Sequence, residues 1–405
     1  MLVLGTGFVL TLASGFFPLR KPRFVLKNTL GSFLKSKSAF SAAATAIGAT
    51  VGTGNIVGVA SAISIGGPGA VFWMWIGAFF GMMLKFAEAA LAVKYKGGAM
   101  VYIEKAFKTR FPAVLWCLCC VFASFGGGNM IQTNAAGTAF KNAFGGSPVI
   151  VGFLIAFLCA VVLFCGAKTV IKTSSFLVPF MAVFYVIGCL GILFIFRNNV
   201  FPAFLSIFES AFSPLSFGGG IFGIFASKAV GVGISKGTFT HEAGMGSASL
   251  AHSESGEKPI IQGCWGIFEV FIDTIFVCSL TALAILSAEK KAFSENSAAE
   301  IFGESFGVFG DVFLCISMFL FALAAVIGWA FYAEKCIFYF TGSKFVINLY
   351  RTVFCVAAVL GSVTELPIIW SITDIFNGLM IFPNICAIII LFPEIMKIIK
   401  KEEHR

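Results

Sequence analysis

Uncharged, apolar runs of roughly 20 residues, each long enough to cross a bilayer as a helix, recur along the whole chain, separated by short basic or glycine-rich stretches. They predict about eleven transmembrane helices, near residues 1–18, 39–64, 69–93, 113–139, 148–166, 174–196, 213–235, 261–287, 308–332, 345–362 and 367–393. The run from Ala39 to Gly81 carries an interruption, V-G-T-G-N-I-V-G at residues 51–58. An unpaired backbone N–H or C=O in hydrocarbon costs several kcal/mol, so glycine- and hydroxyl-rich sequence at mid-span survives only where it lines a cavity inside the protein.

A soluble reading of these glycines fails on spacing. Gly52, Gly54 and Gly58 give G-x-G-x-x-x-G, whereas a dinucleotide phosphate loop needs G-x-G-x-x-G between a strand and a helix. A broken span is the better expectation, with close helix packing as the plain alternative use of the glycines. The N–H groups at the break attract a carboxylate, while unwound carbonyls and side-chain oxygens hold a small cation. Thr53, Gly54 and Asn55 supply both kinds of group, with Gly52 beside them. F-G-G-G-I-F-G at residues 217–223 reads as a second interrupted span, adding Gly218 and Gly219 as candidates. Paired breaks in corresponding positions point to an inverted-repeat transporter with cargo and ion between the repeats.

Composition agrees. Of 405 residues 59% are hydrophobic and 12% charged, and the mean hydropathy of +0.97 places the chain in the bilayer rather than in water. The net charge of +9 is concentrated in loops and tail: Arg20, Lys21, Arg23 and Lys27 follow the first run, and Lys397, Lys400, Lys401 and Arg405 close the chain. Basic segments mark the cytoplasmic side, which places the amino terminus outside, the carboxyl terminus inside and the protein in the cytoplasmic membrane. The charge therefore implies no nucleic acid partner, and no obligate protein partner is evident. Most of the 12 cysteines fall inside spans and read as small buried apolar residues. The three histidines show no spacing of a resident metal site.

Intramembrane carboxylates are functional by default. Glu269 and Asp273, four residues apart, are expected to share one helix face. Two such carboxylates raise each other's proton affinity unless a cation intervenes, which keeps H+ open beside Na+ as the coupling ion. Lys85 and Glu88, near the cytoplasmic end of the third span, are expected to be structural or gating residues.

At this point a family becomes legible. Residues 51–75 (V-G-T-G-N-I-V-G-V-A-S-A-I-S-I-G-G-P-G-A-V-F-W-M-W), K-F-A-E-A-A-L-A-V-K-Y at 85–95, G-G-N-M-I-Q at 127–132, E-A-G-M-G-S-A-S-L-A-H at 242–252, F-I-D-T at 271–274, G-W-A-F-Y at 328–332 and M-I-F-P-N at 380–384 resemble the alanine/glycine:cation symporters, also called sodium:alanine symporters. The resemblance implies an all-α leucine-transporter-like fold of two inverted five-helix repeats, at 39–196 and 213–393. An extra helix and basic loop (1–38) would precede them and a cytoplasmic tail (394–405) follow. It further implies cation-driven uptake of alanine or glycine.

Carried over by position, Thr53, Gly54 and Asn55 meet the cargo's charged ends, Gln132 hydrogen-bonds it, and Trp329 walls its side chain. Asp273 and Thr274 join Gly52 and Asn55 as cation ligands. His241 and Glu242 stand at a cytoplasmic gate, His241 where the family leads one to expect Asn. Ala324 and Ala325 stand where it leads one to expect sodium-coordinating hydroxyls. An intramembrane enzyme would need Ser, His and carboxylate groups converging at one depth, and no nucleophile motif surrounds His241 and Glu242; a non-transporting amino-acid sensor on the same fold is the other rival.

Overall fold

The computed structural model describes residues 2–32, 36–212, 228–288, 293–364 and 367–403, and within them all regular structure is helical. Seven helices are long and apolar enough to cross a membrane, and a bent pair makes an eighth span. In chain order the principal helices are α1 (Leu2–Ala13), α2 (Lys37–Thr50), α3 (Val57–Gly66), α4 (Gly69–Lys94), α5 (Phe111–Phe144), α6 (Pro148–Phe164), α7 (Ala167–Ile195), α8 (Arg197–Ala211), α9 (Lys228–His241) and α10 (Ser249–His252). They continue as α11 (Pro259–Ser287), α12 (Ser297–Phe306), α13 (Val308–Thr341), α14 (Lys344–Gly361), α15 (Pro367–Ile390) and α16 (Phe392–Glu403). Among the described residues the chain breaks twice inside its core, between α2 and α3 with a bend of 61°, and between α9 and α10 across residues 242–248.

Around these breaks the helices sort into two packed groups. In one, α4 lies between α9 and α11 and carries α3 against α9; in the other, α13 packs on α5, and α6 on α14. Without a hydrophobic drive between helices in lipid, contact depends on close van der Waals approach at small residues. A Cβ on Gly266 of α11 would lie 2.6 Å from the Lys85 carbonyl oxygen of α4, and one on Gly328 of α13 would lie 2.6 Å from the Ala49 methyl of α2. Large apolar side chains cover the outside, Phe157 at 64% and Phe176 at 77% exposed, an arrangement that suits acyl chains and not water.

One expectation needs correction and one lies outside the described residues. Of the apolar run expected at 1–18, the helix α1 takes 12 residues, about 18 Å, and its first residues pack at the centre, with Val3 beside Gly244 of the second break. The break expected at 217–223, with Gly218 and Gly219, lies outside the described residues; within them a helix opens at 242–248, within E-A-G-M-G-S-A, because Gly244 (φ +93°) and Gly246 (φ +81°) take left-handed backbone that no helix continues.

Replacing Gly266 by Ala should lower the apparent melting temperature of the purified protein, by the ~1–3 kcal/mol that overpacking costs. Gly231→Ala, where a Cβ meets nothing within 4 Å, serves as control and should leave melting unchanged.

Candidate functional site

The first break is held open from a neighbouring helix. Gln132 Oε1, on α5, accepts both the Thr53 backbone N–H (2.9 Å) and the Thr53 hydroxyl (2.8 Å). Gln132 Nε2 in turn donates to the Gly127 carbonyl at 3.0 Å. That acceptor lies in a π turn at Gly126–Met130, where the ladder shifts and a side chain can take a backbone acceptor. Glycine at 52 leaves the Gln132 amide its place, since a Cβ there would sit 2.8 Å from Gln132 Oε1. The Thr53 N–H expected to be free is therefore engaged, and by an oxygen in the position a carboxylate would take.

Asn55 faces the other way. Its Oδ1 accepts the Gly52 N–H at 3.0 Å, and its Nδ2 donates to Asp273 Oδ1 at 2.7 Å and to the Asp273 carbonyl at 3.1 Å. Thr274 Oγ1 donates to Asp273 Oδ2 at 2.7 Å and lies 3.3 Å from Thr240 Oγ1 of α9. A carboxylate, two hydroxyls and an amide thus converge where the two broken spans meet α11, all of them buried. This cluster joins the predicted Asn55, Asp273 and Thr274, and adds Thr240, which no motif singled out.

Glu269 and Asp273 do not act as a pair. A π-helical stretch at Phe271–Cys278 follows Glu269 and turns the two carboxylates toward different partners. Glu269 Oε1 lies 3.1 Å from Lys85 Nζ and accepts the Thr50 hydroxyl at 2.8 Å, while its Oε2 lies 3.0 Å from His252 Nε2. Gln262 Nε2 lies 2.9 Å from His252 Nδ1; with the amide donating, the ring proton sits on Nε2 and points at Glu269. Lys85 also donates to the His241 carbonyl at 2.9 Å, capping the last turn of α9 with a cation where the helix dipole favours one.

The residues expected at a cytoplasmic gate lie instead at the centre, because residues 242–248 are the second break. Glu242, at φ +53°, places its Oε1 3.0 Å from the donating Trp329 Nε1 and accepts the Ser247 hydroxyl at Oε2. His241 is buried and accepts the Ala243 N–H at Nδ1 (3.0 Å). One turn along α4 from Lys85, Glu88 Oε1 accepts the Gly244 and Gly246 N–H groups (2.9 and 3.0 Å) and Asn384 Nδ2 (2.8 Å), while its Oε2 makes no hydrogen bond. Lys85 and Glu88 are thus structural, as expected, but they brace the break itself.

Trp329 is not an interfacial residue. It is buried and sits about three turns before the end of α13 at Thr341, and its indole fills the space over Gly128, where a Cβ would meet it at 2.4 Å. Together with Gly54, Gln132, Phe239 and Glu242 it lines a nearly closed central cavity of about 10 Å³. A vestibule of about 430 Å³ opens beyond Gly54, on the face opposite Lys94 and Lys96. Between the two, Phe239 and Trp370 pack with ring centroids 5.0 Å apart. Ala324 and Ala325 are buried, and the space beside Gly48 is filled by Val178 and the Ala324 methyl.

The whole chain, residues 1–405, matches the sodium:alanine symporter family. It is 39% identical to the sodium/alanine symporter AgcS of Methanococcus maripaludis, covering 96% of this chain and 91% of that protein. To the amino-acid carrier protein AlsT of Bacillus subtilis it is 34% identical, covering 98% and 88%. Among solved structures, MhsT in complex with L-phenylalanine superposes with a TM-score of 0.63 at 15% identity, over 87% of this chain and 88% of that one. A Na+-coupled sialic acid symporter in a substrate-bound outward-open state gives 0.58 at 14% identity, over 94% and 85%. These structural likenesses establish the fold.

Lys85→Met should strand Glu269 in the core and cost ~3–5 kcal/mol, as removal of one partner of a buried ion pair does. The double variant Lys85→Met/Glu269→Gln should recover much of that loss in thermal unfolding. A double variant no more stable than Lys85→Met would show that the two groups are not coupled.

Proposed function

Because the chain belongs to the sodium:alanine symporter family, a family of membrane transporters and not of enzymes, we propose that it carries alanine, with glycine also accepted, together with sodium across the cytoplasmic membrane by alternating access. The observation that carries this reading is the meeting of two broken helices around one small cavity beside a buried Asp273 cluster.

The cargo's carboxylate takes the place that Gln132 Oε1 occupies against the Thr53 N–H and hydroxyl, with the Gly54 backbone beside it. Gln132, released, binds the cargo through its amide. Trp329, pressed against Gly128, limits the cargo's side chain to a methyl or a hydrogen, since a longer chain overlaps packed atoms. Sodium is cargo here. Asp273 supplies the charge and Thr274 and Thr240 supply hard oxygen ligands of the kind a small cation requires, with the Gly52 carbonyl and Asn55 adjoining. Ala324 and Ala325 offer methyls where hydroxyls would complete a second site, so the reading has one sodium per cycle.

The vestibule beyond Phe239 and Trp370 is the entry from outside, while the Lys85–Glu269–His252 cluster and the Glu88 brace close the cytoplasmic side. The basic loops support this orientation, with the carboxyl terminus inside. The two breaks support paired repeats at 39–196 and 213–393.

In proteoliposomes, labelled alanine should accumulate with an inward sodium gradient and not with choline. Thr53→Val should abolish that uptake while leaving insertion intact, and Asp273→Asn should remove the sodium dependence of alanine binding. Uptake that follows a pH gradient regardless of sodium would give the coupling to H+, and binding without flux would identify a sensor.

A further inference from the structure

Among the described residues the buried acidic side chains are Glu88, Glu242, Glu269 and Asp273, and the one buried lysine is Lys85. A carboxylate has about four lone-pair positions to satisfy, and a bare negative charge in this setting is expensive. Glu269 is served by Lys85, Thr50 and His252. Glu88 is served by two backbone N–H groups and Asn384 on one oxygen, with Lys85 one turn away on the same helix. Asp273 and Glu242 have side-chain hydrogen bonds only from neutral groups: Asn55 and Thr274 for Asp273, Trp329 and Ser247 for Glu242.

Neither of these two carboxylates has a cation within ion-pair distance, Lys85 being paired with Glu269 and acting on Glu242 only from further off, and their surroundings differ. Asp273 has the Thr274 and Thr240 hydroxyl oxygens beside it and does not line the central cavity. Glu242 lines that cavity, as its sole charged residue. Its hydrogen-bonded neighbours are an indole N–H and one hydroxyl, both already donating to it, and the cavity's Asn377 amide oxygen, which makes no hydrogen bond, is free to accept from a donor. An N–H donor cannot ligate a cation at all. What suits the remaining lone pairs of Glu242 is a cation that brings its own hydrogens. The break gives the carboxylate its position: at φ +53° the Glu242 backbone leaves the helix just where its side chain enters the cavity, and the Trp329 indole and the Ser247 hydroxyl fix one oxygen each.

We infer that Glu242 receives the α-ammonium group of the transported amino acid. This rests on the amino-acid reading above and deepens it. The cargo lies between opposite ends, its carboxylate at the Thr53 donors of the first break and its ammonium at Glu242 of the second. The two breaks then recognise the two charges of a zwitterion separately, and the site selects against carboxylates without an amine. Sodium neutralises Asp273, so the loaded centre carries no unpaired charge on either carboxylate.

The test uses the full-length purified protein, with L-alanine and L-lactate as probes. Lactate has alanine's skeleton with a hydroxyl in place of the ammonium. Glu242→Gln keeps the shape and should weaken alanine binding at saturating sodium by at least about tenfold, the scale of a charge-assisted hydrogen bond. Sodium binding without cargo, followed by tryptophan fluorescence, should stay within about threefold. The preference for alanine over lactate, strong in the unaltered protein, should largely vanish in the variant.

Unchanged alanine affinity in a Glu242→Gln protein that still binds sodium overturns the inference. So does loss of sodium binding with alanine affinity retained, which would make Glu242 an ion ligand. If the variant does not fold, the unaltered protein still decides: equal affinity for alanine and lactate overturns the assignment, and strong rejection of lactate supports it. Should the protein ignore alanine but bind another amino acid that Glu242→Gln loses, the alanine reading fails while the role of Glu242 stands.

Discussion

The ion pair of Lys85 with Glu269 is the joint on which the centre of this molecule depends. In water such a pair would be worth little, but here both side chains are wholly buried, and either one alone would be an uncompensated charge in a low-dielectric core. The pair ties together five elements. Lys85 belongs to α4 and holds the His241 carbonyl at the end of α9; Glu269 belongs to α11 and holds Thr50 at the end of α2 and His252 in α10. Both broken spans are thereby tied, at the ends where they open, to the unbroken helices that flank them. Opened backbone in a membrane needs such anchoring, because a loose helix end there has no water to turn to.

Where the hydrogen-bond ladder is disturbed, the structure uses the disturbance. The π turn at Gly126–Met130 leaves the Gly127 carbonyl for Gln132, and the three glycines there admit Thr373 and Trp329 to the helix surface. The π stretch at Phe271–Cys278 separates two carboxylates that a regular helix would have stacked, sending Glu269 to the cationic joint and Asp273 to the first break. Wide turns of this kind commonly occur at functional sites, and both lie against the central region here. The specificity of the site is thus set as much by backbone irregularity as by side-chain identity.

The membrane class, eight of the eleven expected spans and the first break were legible from hydrophobic run length and from V-G-T-G-N alone, because the cost of unpaired backbone in lipid leaves so few alternatives. Asn55, Asp273 and Thr274 were recoverable as a group. The opening at 242–248 was not foreseen. Glycine count drew attention to residues 217–223, which lie outside the described residues, while E-A-G-M-G-S-A looks polar enough to be a loop; a hydropathy pattern cannot tell a buried opened segment from a surface one. The polar signal in that run, Glu242 with His241 and Ser247, was visible but assigned to the wrong depth. Lys85 with Glu269, and Glu88 with Asn384, join residues 184 and 296 positions apart, and no local pattern encodes such pairings.

The hydrogen bonds at the cavity also explain how a small cargo can influence large helices. Gln132 to Thr53 joins α5 to the first break, and Trp329 to Glu242 joins α13 to the second; each crosses from one packed group of helices to the other. On the proposed seating, a zwitterion takes Thr53 from Gln132 at one end and adds to Glu242, still held by Trp329, at the other, so it exchanges one contact between the groups for contacts with itself. A ligand shifts a conformational equilibrium only by as much as it interacts differently with the two states. Cargo so seated interacts differently because the Gln132–Thr53 bond it replaces is one of those that hold the two groups in register. On the proposed reading, the size limit set by Trp329 over Gly128 and the coupling between cargo and helix movement arise at one place, and a cargo too large for the first has no access to the second.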